Sequence, residues 1–477
     1  MKKVRTRFAP SPTGFMHLGG MRTALYAYIY AKAHGGDFVL RIEDTDQERF
    51  VEGAVEVIYS SLKQGGLIYD EGPDVGGDFG PYVQSERMEI YQKYAKELVE
   101  KGGAYYCFCS KERLEDLKKQ NENAKYDKHC LALSKEEVEA RIAAGEPYVI
   151  RQNIPNSGVS SYVDGVYGEI SVDFSDLEDN ILIKSDGMPT YNFANVIDDH
   201  LMEISHVIRG AEYLSSTPKY NLMYDAFGWE RPKYIHLPTI MKDATRKLSK
   251  RYGDANFDDF ISKGYISPAI MNYIALLGWC PKDNTEKMNL AEMIEKFSLD
   301  GVSKSPSIFD EVKLRWLNGE YLKDMTDEEF FEVAMPFFEK SKVYNKFDNR
   351  KILKLLKTRI EILSEIPEKI DWLDSLESID ENLYFNKKNK TDHVVAKNLL
   401  PEIIQAVKEV SEFENSQIFA TLSQKAGELG VKTGAFFWIM RVAITGQAVT
   451  PGGATEMAEI LGKEETVSRL EKALKLL

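Results

Sequence analysis

Phe8-Ala-Pro-Ser-Pro-Thr-Gly14-Phe-Met-His17-Leu-Gly19-Gly20 is the stretch on which the reading of the fold turns. In front of it, Val4 to Phe8 reads as a strand. Behind it, Met21 to His34 reads as a helix with Leu25, Tyr28, Ile29 and Ala33 on one face. Phe38 to Ile42 is a second strand and Val51 to Leu67 a second helix. Strand–helix–strand spacing implies parallel strands joined by a crossover helix. A Gly- and Pro-rich loop opening a helix offers exposed amides and the positive end of the helix dipole, both of which favour an anion. Glycine also lets a nucleotide approach the backbone closely. His17 stands where its ring could donate to a phosphate oxygen, although a histidine at a helix start serves equally as a cap.

Working outward, Cys107 to about Pro189 departs from this alternation. Two charged helical pieces, Ser110–Asn121 and Ser134–Ala144, precede β-like stretches at Tyr148–Gln152, Val163–Val172 and Ile181–Lys184, as in a small α+β insertion. The strand and helix alternation resumes near Tyr191 and runs to about Lys250. From residue 323 onward the chain reads as helices. Thr326-Asp-Glu-Glu329 has the pattern of a capping box. Helices are expected at Asn349–Leu363, Ala396–Val410, Ser416–Leu429, Thr433–Ile444 and Ala454–Leu477. The expected fold class is α/β: a parallel-sheet Rossmann-like domain (1–109 and 190–252) interrupted by the insertion (110–189). A helical domain (253–322) and an all-helical region (323–477, divisible near 380) follow.

The chain has 477 residues, 43% of them apolar and 29% charged. That length suits about three domains of ~150 residues, and the apolar share is that of ordinary packed cores. No window approaches the ~18 apolar residues of a membrane span, and no secretory signal is expected behind MKKVRTRFAPSPTG. Four cysteines are too few for a disulfide framework, which suits a reducing, cytoplasmic location. Net charge is −14, which by itself argues against nucleic acid. Its distribution does not. Lys340, Lys342, Lys346, Arg350, Lys351, Lys354, Lys357 and Arg359 face one acid, Asp348, in twenty residues. Such a run is either a solvated helix face or a phosphate-binding stripe.

A second informative segment is Lys247-Leu248-Ser249-Lys250-Arg251, a cationic loop able to clamp a triphosphate. Together with the loop at His17 it resembles the paired HIGH and KMSKS signatures of class I aminoacyl-tRNA synthetases. The intervening Arg41-Ile-Glu43-Asp44-Thr-Asp46, Gly80-Pro-Tyr-Val-Gln-Ser-Glu-Arg87, Lys184-Ser-Asp-Gly-Met-Pro-Thr-Tyr191-Asn-Phe-Ala-Asn195-Val-Ile-Asp198-Asp199-His200, Val207-Ile-Arg209-Gly and Lys313-Leu-Arg-Trp-Leu-Asn-Gly319 narrow the resemblance to glutamyl-tRNA synthetases of the bacterial type, over essentially the whole chain. The second histidine of HIGH is Gly20 here, a variation that family tolerates.

The resemblance implies ATP-dependent ligation of L-glutamate to tRNA(Glu) through glutamyl-adenylate, with ATP bound together with Mg2+. It assigns catalytic roles to His17, Lys247 and Lys250, and ATP contacts to Gly14, His17, Gly19, Glu212, Leu248, Ser249 and Lys250. Arg7 and Arg209 would hold the glutamate side-chain carboxylate, for which an arginine fork is suited. Glu43 would pair with the α-ammonium, and Ala9, Ser11, Tyr191 and Asn195 would complete the pocket. Taken singly, each also reads as an ordinary ion pair or buried polar residue. The helical region 323–477 would bind the anticodon, with Arg359 reading its third base from an apolar helix face shared with Leu355, Leu356 and Leu363.

A non-discriminating enzyme that also charges tRNA(Gln) is the alternative within the family. A tRNA-modifying paralogue would lack the anticodon region, and a catalytically dead module would not keep His17, Lys247 and Lys250. Family members are usually monomeric and no membrane partner is expected. Some relatives bind zinc through a Cys-x-Cys and a Cys-x-His pair. Cys107, Cys109 and Cys130 supply three such positions, but Ala132 stands where the histidine would be and His129 is the substitute candidate for Zn2+. Cys280 lies in an apolar run, Ile274–Cys280, and is expected in the core.

Overall fold

The expected crossover forms where the loop reading places it. In a computed structural model, which describes residues 3–120, 125–246, 248 and 256–477, β1 (Arg5–Phe8) pairs in parallel with β2 (Asp37–Leu40) on either side of α1 (Leu18–Ala33). The helix differs from the expected one-sided pattern. Leu18, Met21, Ala24, Leu25, Ala27 and Ile29 are all fully buried, whereas Ala33 is exposed. Covered by the strands on one side and by later helices on the other, α1 has little solvent face to keep polar.

The chain forms two compact units, Met1–Ser262 with Ile266–Glu311, and Lys263–Tyr265 with Val312–Leu477. In the first, α2 (Ala54–Gln64) and α3 (Met88–Glu100) lead to β3 (Ala104–Cys107), α4 (Lys111–Gln120), α5 (Lys135–Ala143) and β4 (Val149–Gln152). Next come β5 (Val159–Asp164), β6 (Gly168–Asp173), β7 (Ile181–Ile183), α6 (Tyr191–Leu201), β8 (His206–Gly210), α7 (Thr217–Phe227) and β9 (Lys233–Leu237). β3, β4 and β7 make a three-stranded antiparallel sheet, the insertion's core.

The stretch read as one strand, Val163–Val172, instead spans a hairpin, the end of β5, a turn at 165–167 and most of β6. Asp164 Oδ1 accepts from the amides of Val166 and Tyr167, both at 2.9 Å, an Asx turn that reverses the chain before β6. β5 then joins β9, and β9 pairs in parallel with β8, giving the sheet order β6-β5-β9-β8. The Ser205 amide donates to the Arg5 carbonyl at 3.0 Å, so the entry to β8 lies beside β1. Cys280 is a correction: it is exposed, its Sγ lying 3.4 Å from Asn284 Oδ1, because past the helix Ser267–Leu276 Trp279 bridges Val302 and takes the buried place, leaving its neighbour Cys280 outward.

The second unit is helical, as expected. Thr326 and Glu329 complete the capping box of the helix Asp327–Phe338. Two expected helices are shorter than read. Asn349–Leu363 ends at Leu356: past it the Arg359 amide donates only three residues back, to Leu356, and the chain bonds elsewhere, the Leu363 amide donating to Gly264 and the Glu361 carbonyl accepting from Asn318. Arg359 is therefore off the helix and exposed, not buried in an apolar stripe. Ala454–Leu477 breaks into Ala454–Leu461 and Lys463–Leu476 at Gly462, whose φ of +79° is left-handed. Among the described residues no helix is long and apolar enough to cross a membrane.

Candidate active site

The carboxyl ends of β1 and β8 open into a cavity of about 870 Å3, the place where ligands bind in open α/β sheets. Each wall comes from a segment singled out above. Phe8 ends β1 and hands the chain to Ala9 and Ser11; Arg7 points in from the strand. Glu43 follows β2. Tyr191 opens α6, and Arg209 and Glu212 stand at and just after the end of β8. Arg7, Ala9, Ser11, Glu43, Tyr191, Arg209 and Glu212 thus meet at one site although they are spread over two hundred residues of chain. Asn195 lies behind this wall, buried, its Nδ2 donating to the Tyr191 carbonyl one turn back on α6.

Beneath the floor is a buried ionic cluster. Arg7 Nε donates to Asp199 Oδ1 at 3.1 Å, and Arg41 Nη1 donates to the same oxygen at 2.8 Å. Arg41 also reaches Glu43 Oε1 at 2.8 Å. Asp198 accepts from Arg87 Nε at 2.8 Å, Gln84 at 2.8 Å and Tyr91 at 2.7 Å. Burial pushes the Glu43 carboxyl above its ordinary value, against the pull of Arg41 and Arg7. For Asp199 burial acts the same way, but the two guanidinium groups more than offset it and hold the acid below its ordinary value.

Arg209 is built differently. It is 5% exposed, and its Nε donates to His236 Nε2 at 3.1 Å and its Nη2 to Thr217 Oγ1 at 2.6 Å. The rings of Tyr213, Tyr220 and Tyr234 lie 5.0, 4.9 and 5.5 Å from its Cζ. No carboxylate among the described residues forms an ion pair with it. His236 and Thr217 were not visible as site residues in the sequence. The available signal was polar residues inside apolar strand-like runs, at Tyr234-Ile-His236-Leu and at Val207-Ile-Arg209.

Two families of sequence match the chain. "tRNA synthetases class I (E and Q), catalytic domain" matches residues 3–316, and "Anticodon binding domain" matches residues 329–474. The glutamate–tRNA ligase of Clostridium kluyveri is 55% identical, covering 100% of this chain and 99% of that one. This chain belongs to the glutamate–tRNA ligases of the class I synthetase family. The ligase of Clostridium botulinum strain Eklund 17B is 56% identical over the same shares of the two chains. Among solved structures, a glutamate tRNA ligase from Elizabethkingia meningosepticum in complex with its amino acid superposes with a TM-score of 0.89 at 35% identity, with 100% of each chain covered. The synthetase from Elizabethkingia anophelis gives 0.90 at 36%, over 99% of this chain and 100% of that one.

In this glutamate–tRNA ligase the HIGH-like loop is organised by its own histidine. His17 is the N-cap of α1, its Nδ1 accepting from the Gly19 amide at 3.0 Å, so the neutral ring carries its proton on Nε2. A Cβ at Gly19 would lie 3.3 Å from that Nδ1, and Gly14 has a φ of +120°, so both positions favour glycine. Gly14, His17, Gly19 and Leu248 do not line the cavity; Leu248 is buried, its amide donating to Ile240. Lys247, Ser249 and Lys250 lie outside the described residues.

Cys107, Cys109 and Cys130 converge, their sulfurs all within 4.8 Å of one another, and His129 is not part of the group. His129 is exposed, whereas its neighbour Cys130 is buried. Tyr126 takes the place expected of His129: its hydroxyl lies 3.2 Å from Cys107 Sγ and 3.3 Å from Cys109 Sγ. Burial raises the Cys109 thiol to about 11. Burial acts the same way on Cys107, but hydrogen bonds from Tyr126, the Cys109 backbone and Arg151 outweigh it and leave that thiol below its ordinary value.

Proposed function

We propose that the cavity activates L-glutamate with ATP and that the chain transfers the glutamyl group to tRNA(Glu), releasing AMP and pyrophosphate. The observation that carries this reading is Arg209, a buried cavity-lining guanidinium held by neutral groups alone. A buried charge calls for an anion. The side-chain carboxylate of glutamate supplies one and the amide of glutamine does not. Arg7, already anchored by Asp199, contributes a second positive edge. Glu43, with Arg41 on one oxygen, faces the cavity as the partner for the α-ammonium. Ala9, Ser11, Tyr191 and Asn195 shape the remainder.

In the first step the glutamate α-carboxylate attacks the α-phosphorus of ATP. In the second, the terminal ribose 2′-hydroxyl of tRNA attacks the activated carbonyl. Both need positioning and charge neutralisation more than a protein nucleophile. His17, with its proton on Nε2, Lys247 and Lys250 would stabilise phosphate charge. Gly14, Gly19, Leu248 and Ser249 would frame the nucleotide, Glu212 would contact its ribose, and Mg2+ would accompany ATP. The same reading makes 110–189 the acceptor-stem insertion, 253–322 a stem-contact region and 323–477 the anticodon domain of a cytoplasmic monomer. Arg359, exposed and with no side-chain partner among the described residues, would read the third anticodon base, and an arginine there would make the enzyme a discriminating one. The three thiols and Tyr126 suit Zn2+, a structural ion that would tie β3 to the segment at Cys130.

The test is ATP–pyrophosphate exchange. Glutamate should support exchange in the presence of tRNA(Glu), with glutamine inactive. Failure with glutamate and tRNA together overturns the reading.

A further inference from the structure

We propose that Asp164 and His236 are positioning residues that hold Arg209 without neutralising it, and so set the choice of glutamate over glutamine. This rests on the reading of the cavity as a glutamate site. Three adjacent strands carry the residues. Asp164 closes β5, His236 lies on β9, and Arg209 lies directly opposite His236 on β8. His236 and Asp164 are completely buried as side chains. His236 Nδ1 lies 2.6 Å from Asp164 Oδ2, and the His236 amide donates to the same oxygen at 3.1 Å.

The proton positions follow from the donors. Arg209 Nε carries a hydrogen and cannot accept, so His236 Nε2 must be the acceptor of the 3.1 Å bond. The imidazole is then neutral, with its one proton on Nδ1, donated to Asp164. Burial lowers the His236 pKa, and the charge of Arg209 acts in the same direction, consistent with a neutral ring. A carboxylate in place of His236 would hold Arg209 equally well but would cancel its charge. A neutral acceptor fixes the guanidinium and leaves the charge to be matched from the cavity. Arg22 and Arg151 are also buried on carbonyl oxygens, but neither lines this cavity. Among the described residues, Arg209 alone turns a charge with no carboxylate partner towards it.

Asp164→Asn tests the chain of contacts. Asn can keep its oxygen on the Val166 and Tyr167 amides while its NH2 faces His236. That favours a proton on Nε2, which sets two donors against each other at Arg209. In the full chain, with tRNA(Glu), the KM for glutamate should rise by ~10- to 100-fold, taken from the loss seen when the partner orienting a metal-bound histidine is removed. The KM for ATP should stay within about twofold, and glutamine should become a relatively better competitor. His236→Gln, which offers an amide oxygen to Arg209, should retain most of the affinity for glutamate. In that background Asp164→Asn should leave the glutamate KM nearly unchanged, because no tautomer remains to be set; the bond lost by the backbone amide of residue 236 lowers stability in both backgrounds alike.

Equal rises in the glutamate KM from Asp164→Asn in both backgrounds, or parallel changes in the KM values for glutamate and ATP, overturn the inference. If Asp164→Asn does not fold, His236→Phe decides: it keeps a ring and removes the acceptor, and an unchanged glutamate KM overturns the inference. An unmutated chain that charges no glutamate removes the parent reading and this inference together. An active one with unchanged variants removes the inference alone.

Discussion

The polar cluster under the cavity and the cationic stretch Lys340–Arg359 use the same charges in opposite settings. Under the cavity, Arg41 is fully buried between Glu43 and Asp199, and Asp198 is fully buried on Arg87. In the stretch, Lys346 meets Asp374, Arg350 meets Glu328, Lys351 meets Glu459, and Lys354 and Lys357 share Asp327, all with at least one partner open to water. Exposed pairs of this kind contribute ~0–1 kcal/mol, so their acids do not commit the cations to one place. Buried pairs do, because removing either partner leaves an uncompensated charge. Each region nevertheless keeps an arginine without a carboxylate among the described residues: Arg209 in the cavity and Arg359 on the surface. The comparison teaches that a sequence run of cations says less about ligand binding than which cations the fold leaves unmatched.

Breaking the buried side should have the largest effect. Asp199→Ala strands Arg7, leaves Arg41 to Glu43 and Asp198, and should cost about 3–5 kcal/mol of stability in urea unfolding. A loss below ~1 kcal/mol would mean that the cluster is hydrated like the surface pairs. Arg209→Gln should lower kcat/KM for glutamate by ~10²-fold or more, about 2.7 kcal/mol, without creating efficient use of glutamine. Steady-state comparison of the two amino acids checks it, and wild-type glutamate kinetics would remove Arg209 from selectivity.

On the exposed side, Arg359→Gln should shift charging towards tRNA(Gln) relative to tRNA(Glu) by ~1–3 kcal/mol, the worth of one base-reading arginine. Equal weakening on both tRNAs would make it a phosphate contact. The smallest effect is expected from Lys351→Ala, which removes the pair with Glu459. Thermal unfolding should register at most ~1 kcal/mol, and a larger loss would show that the two regions are less different than their burial implies.

Local chemistry in the sequence determined the α1 crossover, the capped helix Asp327–Phe338 and the segments that line the cavity. Gly- and Pro-rich loops, apolar periodicity and capping residues act over a few positions, so they can be read along the chain. Tertiary structure alone decided the features that depend on distant partners. Past Leu356 the chain bonds to Gly264 and Asn318, and Arg359 lies in solvent; an Asx turn at Asp164 makes a hairpin of what reads as one strand. His129 is exposed while its neighbour Cys130 is buried, so the Tyr126 hydroxyl and not His129 lies beside the thiols. The assembly of Asp164, His236 and Arg209 was equally out of reach of the sequence. Strand order places them side by side, and burial then dictates which nitrogen holds the proton and which charge is left for a ligand.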